Sequence, residues 1–138
     1  MANRKLNRPQ EVFLSHSSQN RSFAKWLKGE LNQRGVRAWY SETHIVGAQQ
    51  WHDEIGKALD RCDWFLVILS PSSIKSIWVK RELVFALENE RYNKRIIPVL
   101  YRPCNLKLLS WTLSSMQQVD FTRKREAGLI ELLRIWNV

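Results

Sequence analysis

The chain has 138 residues, of which 44% are hydrophobic and 25% charged, with only 5 Gly and 4 Pro. That is the length of one globular domain, and the composition excludes disordered, collagenous and low-complexity classes. Its 22 Lys and Arg against 13 Asp and Glu leave a formal charge of +9, so a polyanionic partner is the first function class to weigh.

Residues 1–10 read as a flexible, basic tail. No apolar stretch follows it, so it is not a secretory signal, and residues 11–138 read as a single domain. Val12-Phe-Leu14 is a short, fully apolar run that predicts a buried strand. From Arg21 to Gln33, Phe23, Leu27 and Leu31 recur at helical spacing, and Arg34-Gly35 closes the helix. Val36–Tyr40 predicts a second strand. Ser41–Gln50 is polar and predicts a loop of about ten residues, long enough to suggest a functional role. Helical spacing returns with Trp51, Ile55, Ala58, Leu59 and Cys62.

Trp64–Leu69 is the strongest strand, apolar on both faces as central parallel strands are. At six residues it is also the longest apolar run, well short of the ~20 that a membrane helix needs. After Ser70-Pro-Ser-Ser73, Ser73 or Ser76 can cap a helix running to about Asn93, with Val79, Leu83, Ala86 and Leu87 as its core stripe. Ile96–Tyr101 predicts a fourth strand, placed near a sheet edge by Pro98. Asn105–Ser115 reads as irregular or briefly helical, and Gln118–Phe121 as a short fifth strand. Glu126–Trp136 predicts a last helix with Ile130, Leu133 and Trp136 on one face. This alternation predicts an α/β fold: a flavodoxin-like three-layer sandwich with a five-stranded parallel sheet of order 2-1-3-4-5 and helices on both faces.

Cys62 and Cys104 make neither a disulfide scaffold nor a zinc site and read as reduced, packed thiols, which makes the cytoplasm the default location. His16, His44 and His52 lack metal-binding spacing, so no metal is expected. Glycine-rich phosphate loops and the G-x-S-x-G nucleophile elbow are absent. A phosphoacceptor Asp is missing too, since Ser70 ends the third strand. The basic residues are dispersed over many short clusters, as on solvated helix faces, and no nucleic-acid motif accompanies them.

Ligands of open parallel sheets bind beyond the carboxyl ends of the strands. Here that edge comprises Ser15-His-Ser-Ser18, Ser41-Glu-Thr-His44 and Ser70-Pro-Ser-Ser73, all hydroxyl-rich. Within Ser76-Ile-Trp-Val-Lys-Arg-Glu-Leu83, Trp78 and Glu82 are four apart and share a helix face. An indole beside a carboxylate offers a stacking surface and an anion for a cationic, sugar-like centre. A Trp packed under a loop, with Glu82 paired to Lys75 or Lys80, is the plainer alternative.

These segments resemble the boxes of Toll/interleukin-1 receptor (TIR) domains, in the form common among bacterial members. Val12-Phe-Leu-Ser-His-Ser-Ser18 is similar to the first box. Ala38-Trp-Tyr-Ser-Glu42 through Gly47 to Trp51 is similar to the second strand and the BB loop. Asp63–Pro71 resembles the third strand and its turn, and Ile96-Ile-Pro-Val99 the fourth strand. Ser76–Leu83 is similar to the family's S-x-W-x-x-x-E-L motif. The chain departs from the usual pattern in having Ser17 and Ser18 where animal enzymes often carry basic residues, Val46-Gly47 for Pro-Gly, and Val79 for Cys.

The resemblance implies cleavage of the nicotinamide–ribose bond of NAD+, giving nicotinamide plus ADP-ribose or a cyclic ADP-ribose isomer, in antiphage immunity. It implies Glu82 as the catalytic residue and Ser15, His16, Ser17, Ser18, Ser41, Glu42 and Trp78 as substrate contacts. Thr43, His44, Ile45, Val46 and Gly47 would form the BB loop that closes the pocket or docks on a neighbour. NAD+ would be the substrate, with no cofactor. Implied partners are further copies through TIR–TIR contacts and a sensor or effector, separate or fused, with no membrane and no nucleic acid. The family also contains non-catalytic scaffolds, which is the alternative reading.

Overall fold

Six consecutive apolar residues can bury both faces only in the middle of a sheet, and every residue of β3 (Trp64–Leu69) is buried. The structure is a computed structural model that describes residues 7–41 and 48–138, excluding the side chains of 48–51. Around β3 are β1 (Glu11–Ser15), β2 (Arg37–Trp39), β4 (Ile96–Leu100) and β5 (Val119–Asp120). All pairings are parallel, in the order β2-β1-β3-β4-β5. Pro98 faces Val67 of β3 at a level where the two-residue β5, which pairs only with Val99 and Leu100, has not begun.

Strand side chains alternate between faces, and the core divides accordingly. Val12, Leu14, Leu66, Ile68 and Val99 pack against α1 (Arg21–Gln33) and α4 (Arg125–Trp136), through Phe23, Leu27 and Leu31 of the one and Leu129, Leu132 and Trp136 of the other. Phe13, Phe65, Val67 and Leu69 pack against α2 (Ala48–Arg61) and α3 (Ile77–Leu87), through Ile55, Ala58 and Leu59, and Val79, Leu83 and Ala86. The odd-numbered residues of β1 therefore face α2 and α3, and Ser15, its last residue, continues that row.

Several boundaries differ from the sequence reading. The helix α2 begins at Ala48 rather than near Trp51, and residues 42–47 lie outside the described ones. The α3 helix ends at Leu87, because the Asn89 side chain accepts from the Arg91 amide and opens a separate 3-10 turn, Glu90–Tyr92. Leu87 is consequently exposed rather than part of the core stripe. In α4 the buried row is Leu129, Leu132, Leu133 and Trp136, and Ile130 faces outward. The segment 105–115 forms two 3-10 turns, Leu106–Leu108 and Trp111–Ser115. Residues 1–6 of the stretch read as a tail lie outside the described residues; the Gln10 amide donates to the Asp63 carboxylate at 3.0 Å.

Both cysteines are free thiols, and burial pushes Cys62 up to about 12. Among the described residues no helix is long and apolar enough to cross a membrane, and no His, Cys, Asp and Glu cluster could hold a metal ion.

The α1 helix ends on Gly35, whose φ of +77° is a left-handed conformation that favours glycine. Gly128 is constrained by space instead. A Cβ there would lie 2.7 Å from the Phe121 ring and 2.8 Å from the Asp120 carbonyl. Gly128→Ala is expected to lower stability by about 2 kcal/mol, since overpacking against β5 outweighs the gain in helix propensity. Gly29→Ala, where a Cβ meets nothing within 4 Å, should raise stability by about 0.5–1 kcal/mol. Urea midpoints of the two variants check both signs.

Candidate active site

Helical spacing builds the walls of a cleft between α2 and α3. His52, Ile55, Gly56 and Leu59 face it from α2, and Trp78, Arg81, Glu82 and Phe85 from α3, enclosing about 410 Å³. Residues 52, 55/56 and 59, like 78, 81/82 and 85, are three and four apart and form one stripe on each helix. The α3 helix is started by Ser76, whose hydroxyl accepts from the Val79 amide at 3.3 Å.

Glu82 is 7% exposed, and its packing is not that of an ordinary surface carboxylate. The Ser15 hydroxyl donates to its Oε1 at 2.7 Å, across 67 residues of sequence. No Lys, Arg or His among the described residues pairs with it. The sequence alternative of a pair with Lys75 or Lys80 is thus overturned: the Lys80 ammonium donates to the Leu109 carbonyl at 2.6 Å. Glu82 also lies on the core side of α3, beside Val79, Leu83 and Ala86, and not off the core stripe.

The other buried glutamate shows the contrast. Glu11, at the opposite end of β1, takes two hydrogen bonds from the Arg61 guanidinium, at 2.8 and 3.1 Å. Without such a cation, burial pushes Glu82 up to about 8, a rise that the Ser15 hydrogen bond opposes. A buried carboxyl in a cleft, with no cation paired to it among the described residues, is where functional groups concentrate.

Trp78 is half-buried one turn before Glu82. The Arg81 guanidinium lies 5.1 Å from its ring centroid and the His52 ring 6.3 Å away, edge-on. The cleft thus presents an aromatic face, a carboxyl and a cation within one helical turn.

The structure brings Ser15, Trp78 and Glu82 together, and gives His16 and Ser17 partners on other elements. His16 follows Ser15 and turns to the opposite sheet face, with its ring 5.5 Å from Tyr40 and Nδ1 donating to the Ser17 carbonyl at 2.7 Å. Ser17 is buried in a polar knot. Its hydroxyl donates to Asn20 Oδ1 at 2.8 Å and shares a 2.6 Å hydrogen bond with Ser72, while Ser70 donates to the same Asn20 oxygen at 2.6 Å. This knot ties the loop after β1 to the loop after β3. Ser18 is exposed at the start of a 3-10 turn, and Ser41 is buried just after β2. Glu42, Thr43, His44, Ile45, Val46 and Gly47 lie outside the described residues.

Sequence reasoning missed His52, Arg81 and Asn20. The spacing of His52 with Ile55 and Leu59, and of Arg81 with Trp78 and Phe85, was a usable signal. Asn20 had none, because it stands where an N-cap is expected yet makes no cap hydrogen bond.

The TIR domain profile matches residues 12–133. The chain belongs to the TIR domain family. This TIR domain is 25% identical over 101 residues to a protein of Methanobrevibacter olleyae named as a probable 2' cyclic ADP-D-ribose synthase, covering 72% of this chain and 30% of that protein. It is 29% identical over 92 residues to an NAD(+) hydrolase of Escherichia coli, covering 64% of this chain and 30% of that protein. The chain therefore spans about a third of the length of these relatives. Among solved structures, the TIR domain of the Toll-related receptor TRR-2 from Hydra magnipapillata superposes with a TM-score of 0.73 at 22% identity, covering 92% of this chain and 98% of that one. That likeness establishes the fold.

Proposed function

We propose that this TIR domain cleaves the nicotinamide–ribose bond of NAD+, with Glu82 as the catalytic residue and no cofactor. One observation carries the reading: a buried carboxyl, whose hydrogen-bond partner among the described residues is the Ser15 hydroxyl, lies beside Trp78 in a cleft. The relatives' names support the same chemistry at family level.

Nicotinamide leaves with the bonding pair, and the ribose C1′ becomes an oxocarbenium-like cation. A fixed carboxylate stabilises that charge without reorganising, because its site is already built. Trp78 supplies a flat surface for a ring. Water that captures C1′ gives ADP-ribose and a proton; an adenine or ribose atom that captures it gives a cyclic isomer. The serine loops after β1 and β2, with Glu42, are proposed to hold the ribose and phosphates, and residues 43–47 to close the pocket or dock on another copy. Assembly with further copies, prompted by a separate or fused sensor, is part of the proposal. So is its use, by NAD+ depletion or a nucleotide messenger, in antiphage immunity.

The direct test is incubation of the protein with NAD+ over a range of concentrations and under crowding, with chromatography of the products. Nicotinamide should appear in proportion to lost NAD+, more than linearly with protein concentration. No nicotinamide at any concentration would favour the non-catalytic scaffold reading.

The carboxyl must be ionised to oppose a cation, and in the free cleft it titrates near 8. The kcat/KM for nicotinamide release should therefore climb with pH and level off above about 8, since kcat/KM reports the free protein. Bound NAD+ brings a pyridinium cation that favours the ionised form, so the kcat limb should lie at lower pH. Ser15→Ala removes the hydrogen bond that opposes the rise. Its kcat/KM limb should shift to more alkaline pH, with the loss largest at pH 7 and smaller at pH 9. Parallel profiles with no displacement would separate Ser15 from the titration.

A further inference from the structure

Among the described residues the three most exposed large apolar side chains are Trp111 at 78%, Leu108 at 67% and Ile77 at 59%. They belong to adjoining elements. Ile77 opens α3, and Lys80 one turn later donates to the Leu109 carbonyl at 2.6 Å. Leu109 and Leu113 are buried in the same core cluster as Val79 and Leu83. The 3-10 turns carrying Leu108 and Trp111 are thereby fastened beside the start of α3, with those two side chains facing out.

Along the sequence of these elements the charge has one sign. No Asp or Glu occurs from Trp64 to Arg81 or from Arg91 to Val119. The same stretches expose Lys75, Lys80, Arg81, Arg102 and Lys107. Asp120, which ends the second stretch, is engaged by the Thr122 amide and hydroxyl at 2.7 and 2.6 Å.

We propose that this face docks peripherally on an anionic phospholipid surface. Exposed Trp and aliphatic side chains enter the boundary between headgroups and acyl chains, while lysines and arginines meet the lipid phosphates. Charge complementarity excludes the same face of a second copy, which would repel it. A single-stranded nucleic acid could stack on Trp111, but it offers nothing to Ile77 or Leu108. The sequence expectation of no membrane partner rested on the lack of a spanning segment, and this mode of association needs none.

The test is co-sedimentation with phosphatidylcholine vesicles, with and without about one quarter phosphatidylglycerol. The protein should sediment with the anionic vesicles, stay soluble with the neutral ones, and be released by high salt. The double variant Trp111→Ser/Leu108→Ser should weaken apparent binding at least about tenfold, and Lys107→Glu should weaken it further. Both changes are at exposed positions, and thermal melts confirm that the variants fold. Three results would overturn the proposal. The protein could ignore both vesicles. The double variant could bind as the parent does, which would assign retention to the overall +9 charge. A single-stranded oligonucleotide could bind in a Trp111-dependent way and displace the vesicles, which would make this a nucleic-acid face.

Discussion

Glu82→Gln is expected to lower nicotinamide release from NAD+ by about a thousand-fold or more on the alkaline plateau, where the parent's carboxyl is ionised. Gln matches Glu in shape, and its carbonyl oxygen can still accept from the Ser15 hydroxyl, so the packing of α3 against β1 should survive. What it lacks is the negative charge. If the cleft works by opposing positive charge at C1′, no other described residue that lines it can take over, since Glu82 is the acidic one among them. Arg81 has the wrong sign, and His52 has no carboxylate to offer. KM for NAD+ should change much less than kcat, because Trp78 and the serine loops remain. Release within about tenfold of the parent, from a protein that melts no lower than the parent, would remove Glu82 from the chemistry. The measurement is initial-rate chromatography of nicotinamide at saturating NAD+.

The parts of this molecule legible in its sequence are those set by period. The β3 strand could be bounded to the residue because six apolar residues stand between Asp63 and Ser70, the length and composition of a central parallel strand. The α1 helix was equally plain, with Phe23, Leu27 and Leu31 on one stripe and Gly35 at its end. Boundaries failed where side chains compete with the backbone pattern. Asn89 restarts the chain after Leu87, although the apolar spacing could continue to Asn93.

The site was legible in composition but not in partnership. Trp78 and Glu82 could be placed on one helix face by counting. That Ser15 would be the hydroxyl reaching Glu82, and Ser17 would not, follows from strand alternation. Alternation sends Ser15 toward α3 and His16 toward α1. A row of four polar residues, Ser15-His-Ser-Ser18, looks like one loop in sequence, yet the sheet splits it between two faces and a polar knot. Asn20 enters that knot through contacts with Ser70 and Ser72, 50 and 52 residues away, which no local pattern encodes.

The same Glu82→Gln change should stabilise the protein, and the gain should depend on pH in a defined direction. The folded chain holds Glu82 near 8, against an ordinary value of 4.5. Its folded pKa is raised, so the folded state favours the neutral form. Below about 4.5 the carboxyl is neutral in both states and costs nothing. Between 4.5 and 8 the unfolded chain gains by ionising while the folded chain does not, so stability falls as pH rises through this window. Above 8 both states are ionised and the loss is complete. The interval from 4.5 to about 8 sets an upper limit of about 5 kcal/mol on this loss. Gln does not titrate, so parent and variant should melt together near pH 4 and diverge steadily to pH 8. There the variant's Tm should be higher by about 10 °C. Every other titrating group is common to both proteins and cancels in the difference. A Tm gap that stays flat with pH would mean that Glu82 is not held neutral in the fold. A gap that opens as described would show the free cleft carrying a carboxyl at the expense of stability, as functional sites commonly do. Saturating NAD+ should narrow that gap from the parent's side, because the ligand's cation offsets the ionised carboxylate only where one is present.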